Sequence, residues 1–327
     1  MLEHGGGLIA AARRYGIPRE QWLDLSTGLN PQGWLVPALP ASCWQRLPEE
    51  HDGLEAAAAD YYGSVNLLPV AGSQAAIQAL PLLRPAGRVG VLSTSYAEHA
   101  HAWQRHGLQV MPLEPDAIDA ALPTLDVLLL VNPNNPTGQR FSVDTLQGWR
   151  ATLAERGGWL IVDEAFMDCT PEESLVPQAG LPGLIVLRSL GKFFGLAGAR
   201  VGFVFAWSEL LDALREELGP WTLAGPARAA ARLALLDTDW QVTARQRLAA
   251  DGTRLAALLA EHGLTPTGGT PLFQWLQRSD AQTIHEVLAR RGILTRHFAA
   301  PASVRFGLPP DEAGWQRLAE ALAELRG

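Results

Sequence analysis

Lysine is almost missing from this chain of 327 residues: of its 26 lysine and arginine positions, only Lys192 is a lysine. Arginine serves surface charge and salt bridging as well as lysine does, so those roles do not explain the one that remains. A guanidinium stays protonated, whereas a lysine amine can lose its proton and attack a carbonyl; Lys192 is therefore the one side chain suited to covalent amine chemistry. Cysteine is scarce too. Cys43 and Cys169 show no metal-ligand spacing and form no disulfide framework, so neither a metal site nor a stapled fold is expected, and two reduced thiols suit a cytoplasmic protein. No apolar run approaches the ~20 residues of a membrane span, residues 127–131 being only strand-sized. Residues 1–7 lack a basic segment followed by an apolar one, so no secretory leader is expected. Positive charge is in deficit, 26 against 34 acidic residues for a net −8, which argues against nucleic acid or an anionic membrane as the main partner.

What is abundant points to a buried core. The chain is 47% apolar and 18% charged, with no repeat and no low-complexity linker, and its length suits one large α/β domain plus a smaller one. Residues 55–62 and 75–83 read as helices. Residues 88–92, 127–131, 159–162, 184–187 and 201–205 read as strands. Apolar strands without alternation, separated by helices, imply a mostly parallel sheet covered on both faces. After Trp221 the texture changes to alanine- and arginine-rich helices at 227–236 and 242–262. Short strands at 272–276 and 303–306 then alternate with helices at 281–291 and 311–325. The expected division is an arm over 1–25, a large domain over 26–236 and a small α/β domain over 237–327.

Ligands of such sheets collect beyond the carboxyl ends of the strands. Asn132 follows one predicted strand, Asp163 a second, and Ser189 and Lys192 a third. The run Asn132-Pro133-Asn134-Asn135-Pro136-Thr137-Gly138 is a rigid turn, its prolines fixing φ and its glycine permitting a positive one. An asparagine amide held there could donate to a phenolate oxygen. Asp163 alone could be a helix cap, but a carboxylate after a buried strand can also pair with a pyridinium nitrogen. Gly72 and Ser73, just before a helix, form either an ordinary cap or a phosphate cradle. Ser189 and Arg200 flank Lys192 and supply a hydroxyl and a guanidinium for the same anion. Tyr96 can stack on a ring, or can be a satisfied core tyrosine. Together these groups fit one cofactor, pyridoxal 5′-phosphate.

The same residues resemble the fold-type I pyridoxal-phosphate enzymes of the aminotransferase superfamily, over nearly the whole chain. Within it the chain is similar to the threonine-phosphate decarboxylase family of cobalamin biosynthesis. The resemblance lies in His4-Gly5-Gly6, in Leu23-Asp24-Leu25-Ser26-Thr27-Gly28-Leu29-Asn30-Pro31, in Asp163-Glu164-Ala165-Phe166-Met167-Asp168 and in Leu187-Arg188-Ser189-Leu190-Gly191-Lys192-Phe193. It implies a large domain with a mostly parallel sheet and a smaller C-terminal α/β domain. Lys192 would be the Schiff-base lysine and Asp163 the pyridinium partner, the two catalytic residues. Gly72, Ser73, Tyr96, Asn135, Ser189 and Arg200 would complete the cofactor site. His4, Gly5, Gly28, Asn135, Arg296 and Arg305 would bind the substrate, a phosphorylated amino acid whose two anions call for two cationic grips.

The implied reaction is decarboxylation of L-threonine O-3-phosphate by a cytoplasmic homodimer. Two departures stand out. An asparagine often occupies the position of Gly28, and where relatives carry Arg-Tyr-Pro this chain has Arg46-Leu47-Pro48, so a tyrosine contact across the dimer is lost. A histidinol-phosphate-type aminotransferase is the alternative; there a tyrosine commonly replaces Phe166, and His4-Gly5-Gly6 is not typical. A non-catalytic ligand sensor would carry an additional DNA-binding domain and is disfavoured by the acidic composition.

Overall fold

The structure, a computed structural model, describes residues 4–84 and 86–326. Two compact units share the chain. One contains residues 34–135 and 140–242; the other contains the described residues up to Gly33, residues 136–139 and the chain from Thr243 onward.

A two-residue strand, β1 (Leu23–Asp24), precedes the seven strands of the central sheet: β2 (Leu67–Val70), β3 (Arg88–Leu92), β4 (Gln109–Leu113), β5 (Val127–Val131), β6 (Trp159–Asp163), β7 (Leu184–Ser189) and β8 (Gly202–Phe205). Their order across the sheet is β2-β8-β7-β6-β5-β3-β4. From β7 to β4 every pairing is parallel, while β8 runs antiparallel to both β7 and β2. The inner strands are buried along their whole length because helices cover both faces, which is why they read as continuous apolar runs. Val127, Leu129, Ile161, Ile185, Leu187 and Val204 pack with Trp103 and Ile77 in one cluster. Three strands side by side thus end together. Val131 is in register with Asp163, and Asp163 with Leu187.

Two strands of this sheet, β2 and β4, escape the sequence reading. Each contains a proline, Pro69 or Pro112, which normally argues against a strand. Both lie at the edges of the sheet, where a missing N–H costs no ladder bond.

In the second unit β12 (Arg296–Phe298), β13 (Ser303–Gly307), β10 (Phe273–Gln277) and β9 (Gly268–Thr270) form an antiparallel sheet in that order, and β1 pairs in parallel with β11 (Ile293–Leu294). The expected boundaries differ here. Residues 4–25 are not a separate arm, nor do 26–33 join the large domain: Leu23 and Leu25 donate to the carbonyls of Gly292 and Leu294, and Gly307 N–H donates to Leu25 O. Leu8–Tyr15 forms a helix whose Ala11 packs with Trp22, Ala289 and Leu294. A two-residue strand has no periodicity to read, so this attachment is invisible in sequence. The division expected at 236/237 falls at 242/243, inside the continuous helix Thr238–Glu261; the change in texture marks where that helix begins.

Residues 136–139 cluster with this unit because Gly138, at φ +74°, lies against the backbone of Gly269 with no room for a Cβ, and Gly268 lies equally close to Thr137 O. Gly138→Ala therefore combines a left-handed conformation with a backbone clash. It should lower stability by roughly 1–3 kcal/mol, the range for overpacking and backbone strain, as a fall in thermal midpoint. An unchanged midpoint would show that the contact yields freely.

Candidate active site

At the carboxyl ends of β5, β6 and β7, Ser73, Tyr96, Asn135, Asp163, Ser189, Lys192 and Arg200 line one pocket together with Gln74, Val131, Ala165 and Phe166. Residues up to 127 positions apart, from Ser73 to Arg200, are gathered because three parallel strands end side by side. Lys192 Nζ lies 5.6 Å from the centre of the Phe166 ring. Asp163 is buried; its Oδ1 accepts from Ala165 N–H at 3.0 Å, and its Oδ2 lies 2.9 Å from His99 Nε2. His99 was not singled out in sequence. It stands three residues after Tyr96 on the helix Ala97–Arg105, and its ring meets Tyr96 edge-on at 5.9 Å. A histidine one helical turn after a pocket aromatic, Tyr96-Ala97-Glu98-His99, was the available signal.

Burial, followed by the carboxylates of Asp163 and Glu98, pushes the Tyr96 phenol up to about 12, so at neutral pH it is an O–H and not a phenolate. Gly72 adopts φ +71° directly before the helix Ser73–Ala79. A Cβ on it would come within 2.5 Å of Arg200 Nη2, and one on Gly202 within 2.6 Å of Ser73 N. The glycines thus let a guanidinium, a backbone N–H and the Ser189 hydroxyl line one side of the pocket. Arg200 holds a left-handed backbone, φ 54°, and donates to Ala197 O at 3.2 Å. A hydroxyl, a guanidinium and a backbone N–H on one side, with an amine and a buried carboxylate in the same pocket, fit the expected cofactor, pyridoxal 5′-phosphate.

Side chains alternate along β6 and β7, so the neighbours of Asp163 and Ser189 point the other way. Arg188, almost fully buried, donates to Glu164 Oε2 at 2.8 Å and to Asp168 Oδ1 at 2.7 Å. Ser174 also donates to Glu164, Tyr61 to Asp168, and the Tyr62 ring lies 4.6 Å from the Arg188 guanidinium carbon. Burial opposes the guanidinium charge, but Asp168 and Glu164 outweigh it and hold Arg188 protonated well above its ordinary range.

The residues expected to bind substrate stand in the other unit, apart from Asn135. Arg296 and Arg305 are direct cross-strand partners on β12 and β13. Arg305 is buried, donates to Ser26 O at 2.9 Å and lies 5.0 Å from the Phe273 ring centre. Burial, then the charge of Arg296, draws Arg305 down to about 10, with Asp24 opposing. Gly6 N–H and the Asp24 carboxylate both engage the Ser26 hydroxyl, fixing the N-terminal segment near it. His4, Gly5 and Arg296 line a cavity that Arg305 and Gly28 do not.

Known proteins match this picture. A family model described as aminotransferase class I and II covers residues 45–322. The chain is 58% identical over 322 residues to the threonine-phosphate decarboxylase of Pseudomonas aeruginosa, covering 98% of this chain and 97% of that protein. It is 44% identical over 331 residues to a Sinorhizobium protein of the same name, with 99% and 98% covered. Among solved structures, the histidinol-phosphate aminotransferase of Sinorhizobium meliloti in complex with pyridoxal-5′-phosphate superposes with a TM-score of 0.83 at 21% identity, covering 99% of each chain. At that identity it shows the fold.

Truncating Arg188 leaves two buried carboxylates without their cation. Arg188→Ala should cost about 3–5 kcal/mol in denaturant unfolding, the range for breaking a buried ion pair. Combining Arg188→Met with Glu164→Gln and Asp168→Asn should recover more than half of that loss. A single-variant loss under about 1 kcal/mol would show that the network carries little.

Proposed function

We propose, for a chain that belongs to the aminotransferase class I and II family, the decarboxylation of L-threonine O-3-phosphate to (R)-1-aminopropan-2-yl phosphate. The observation that carries this reading is identity across nearly the full chain to two relatives that bear the name of that reaction. The in-register pair Arg296 and Arg305 supports it from the structure. Two guanidiniums facing one another repel, and two anions on one substrate relieve them.

When bound, pyridoxal 5′-phosphate supplies an electron sink for the charge left at Cα as CO₂ departs. Lys192 is the residue to hold it covalently, Asp163 the one to face its ring nitrogen, with Ser73, Ser189 and Arg200 for its phosphate and Tyr96 for its ring face. His99 and the Ala165 N–H orient the Asp163 carboxylate. The two small-unit arginines orient the substrate, and the one that takes the carboxylate, Arg305 in this reading, selects which bond at Cα breaks. Lys192 Nζ, as an ammonium, would deliver a proton to Cα in the place that the carboxylate leaves. Phe166 beside Lys192 has no hydroxyl to compete for that proton.

The protein would act as a cytoplasmic homodimer. Leu47, Trp44 and Trp221 are large apolar side chains left exposed in the PLP-binding unit, and a second copy would cover them. Among the described residues no helix is long and apolar enough to cross a membrane.

Borohydride reduction of the yellow holoprotein should fix the cofactor on Lys192, which peptide mapping reads without competition from another lysine. Label found only on the N-terminal amine would sink this assignment. Asp163→Asn should keep that label yet lose several orders of magnitude in turnover, because the electron sink weakens. Near-normal turnover would remove Asp163 from its role.

Phosphothreonine should release CO₂ without any keto-acid acceptor. Alanine at Arg296 or Arg305 should weaken its capture by about 30-fold or more, as expected for roughly 2–5 kcal/mol per desolvated ion pair. Glutamate formation from histidinol phosphate and 2-oxoglutarate outpacing CO₂ release would overturn the reading in favour of the aminotransferase.

A further inference from the structure

A lysine side chain is long and freely rotating, so the place its amine occupies depends on how firmly its backbone is held. The loop that carries Lys192 folds back on itself. Leu190 N–H donates to Val201 O at 3.1 Å, Gly195 N–H to Lys192 O at 3.2 Å and Leu196 N–H to Leu190 O at 3.2 Å. The two residues after the lysine, Phe193 and Phe194, are sealed from solvent and anchor this loop to the protein behind it.

The Phe194 ring stacks on the Trp240 indole, centres 5.5 Å apart and planes 17° apart, and meets Tyr61 edge-on at 5.6 Å. Phe193 meets the same indole edge-on at 5.4 Å. The Phe194 carbonyl accepts from Trp34 N–H at 2.9 Å. One carboxylate then joins the two tryptophans: Asp237 Oδ2 accepts from Trp34 Nε1 at 2.9 Å, and Oδ1 from Trp240 N–H at 3.1 Å. The second of these bonds is an ordinary cap, since Asp237 stands directly before the helix Thr238–Glu261. Capping does not call for the first. The contacts close a ring that runs from the Phe194 carbonyl through Trp34, Asp237 and Trp240 back to the Phe194 side chain. Among the described residues lining the cofactor pocket, none of Trp34, Asp237 and Trp240 is found.

We propose that Trp34, Asp237 and Trp240 are positioning residues for the reaction: the ring they close holds the Lys192 backbone where its ammonium faces Cα once CO₂ has left. The inference rests on the reading of Lys192 as the amine that holds the cofactor and delivers the proton. Two carbons compete for that proton, Cα and the cofactor carbon to which the amine is joined. Delivery to Cα gives (R)-1-aminopropan-2-yl phosphate as Lys192 retakes the cofactor. Delivery to the other carbon leaves the nitrogen on the cofactor as pyridoxamine 5′-phosphate, and one water releases the rest of the substrate as 2-(phosphonooxy)propanal. A slip of about 1 Å in a reacting group costs about 100-fold in rate, so slack in this loop both slows the right transfer and admits the wrong one.

Asp237→Asn separates the cap from the clamp. An amide has one acceptor and one donor end, so Trp34 Nε1 and Trp240 N–H cannot both keep an acceptor. In the holoenzyme this variant and Trp240→Leu should lower kcat about tenfold or more with KM for phosphothreonine nearly unchanged, the pattern of a loss felt only in the transition state. The fraction of turnovers ending in 2-(phosphonooxy)propanal and pyridoxamine 5′-phosphate should rise by about tenfold or more. Trp240→Phe keeps a flat ring and should stay near the unaltered protein in both respects. In the resting holoenzyme, amide hydrogen exchange over residues 190–196 should quicken in Asp237→Asn while β5 and β6 stay protected.

An aldehyde fraction unmoved in both Asp237→Asn and Trp240→Leu overturns the inference, whatever the exchange shows. Exchange raised equally in β5 and β6 overturns it too, because that marks a general loss of stability. So does Trp240→Phe behaving like Trp240→Leu. Should Trp240→Leu fail to fold, Asp237→Asn decides alone. If borohydride fixes the cofactor on Lys192 and the aldehyde fraction does not move, only this inference falls. If it leaves Lys192 unlabelled, the functional reading falls as well.

Discussion

Arg188 is the hinge of the design. Its guanidinium is sealed beneath the sheet between Glu164 and Asp168, and a charge in that position admits no alternative arrangement of the strands that carry it. A shift of β6 or β7 by one residue would drive Glu164 and Arg188 to the opposite face and bury unpaired charge. The pair therefore locks the register that places Asp163 and Ser189 at the pocket. The polar residues that line the site and those that hold the sheet are consecutive in sequence, and each half explains the other.

Much of this was legible in the sequence. The lone lysine, the asparagine–proline turn and the apolar strands pointed to one pocket, because parallel strands that end side by side bring their succeeding loops together. Illegible were features that depend on partners distant in sequence. His99 is one histidine of eight until the fold brings Asp163 to it. β2 and β4 hide behind Pro69 and Pro112, since a sequence does not say which strand is an edge. The attachment of β1 to β11 requires two residues to meet a strand some 270 positions later, and no local pattern records that.

The arginine pair shows the usual conflict between binding and stability. Placing Arg305 in the interior opposite Arg296 costs free energy with no anion present, and the cost appears as a guanidinium drawn down to about 10. Asp24 and the Ser26 carbonyl offset part of it. In the binding role proposed for the pair, this balance would leave it pre-set for negative charge, without the reorganisation that neutral side chains would need.

The position of Lys192 also makes the chain a reporter of its own local opening. It lies directly after β7 in a partly covered loop, and a protease that cuts only after lysine has one internal target, yielding fragments 1–192 and 193–327. Cleavage requires that loop to leave the carboxyl end of the sheet, so its rate under native conditions measures the free energy of opening the pocket, separately from global unfolding. Proteins normally need an engineered site for such a measurement; here a sequence with a single lysine supplies it.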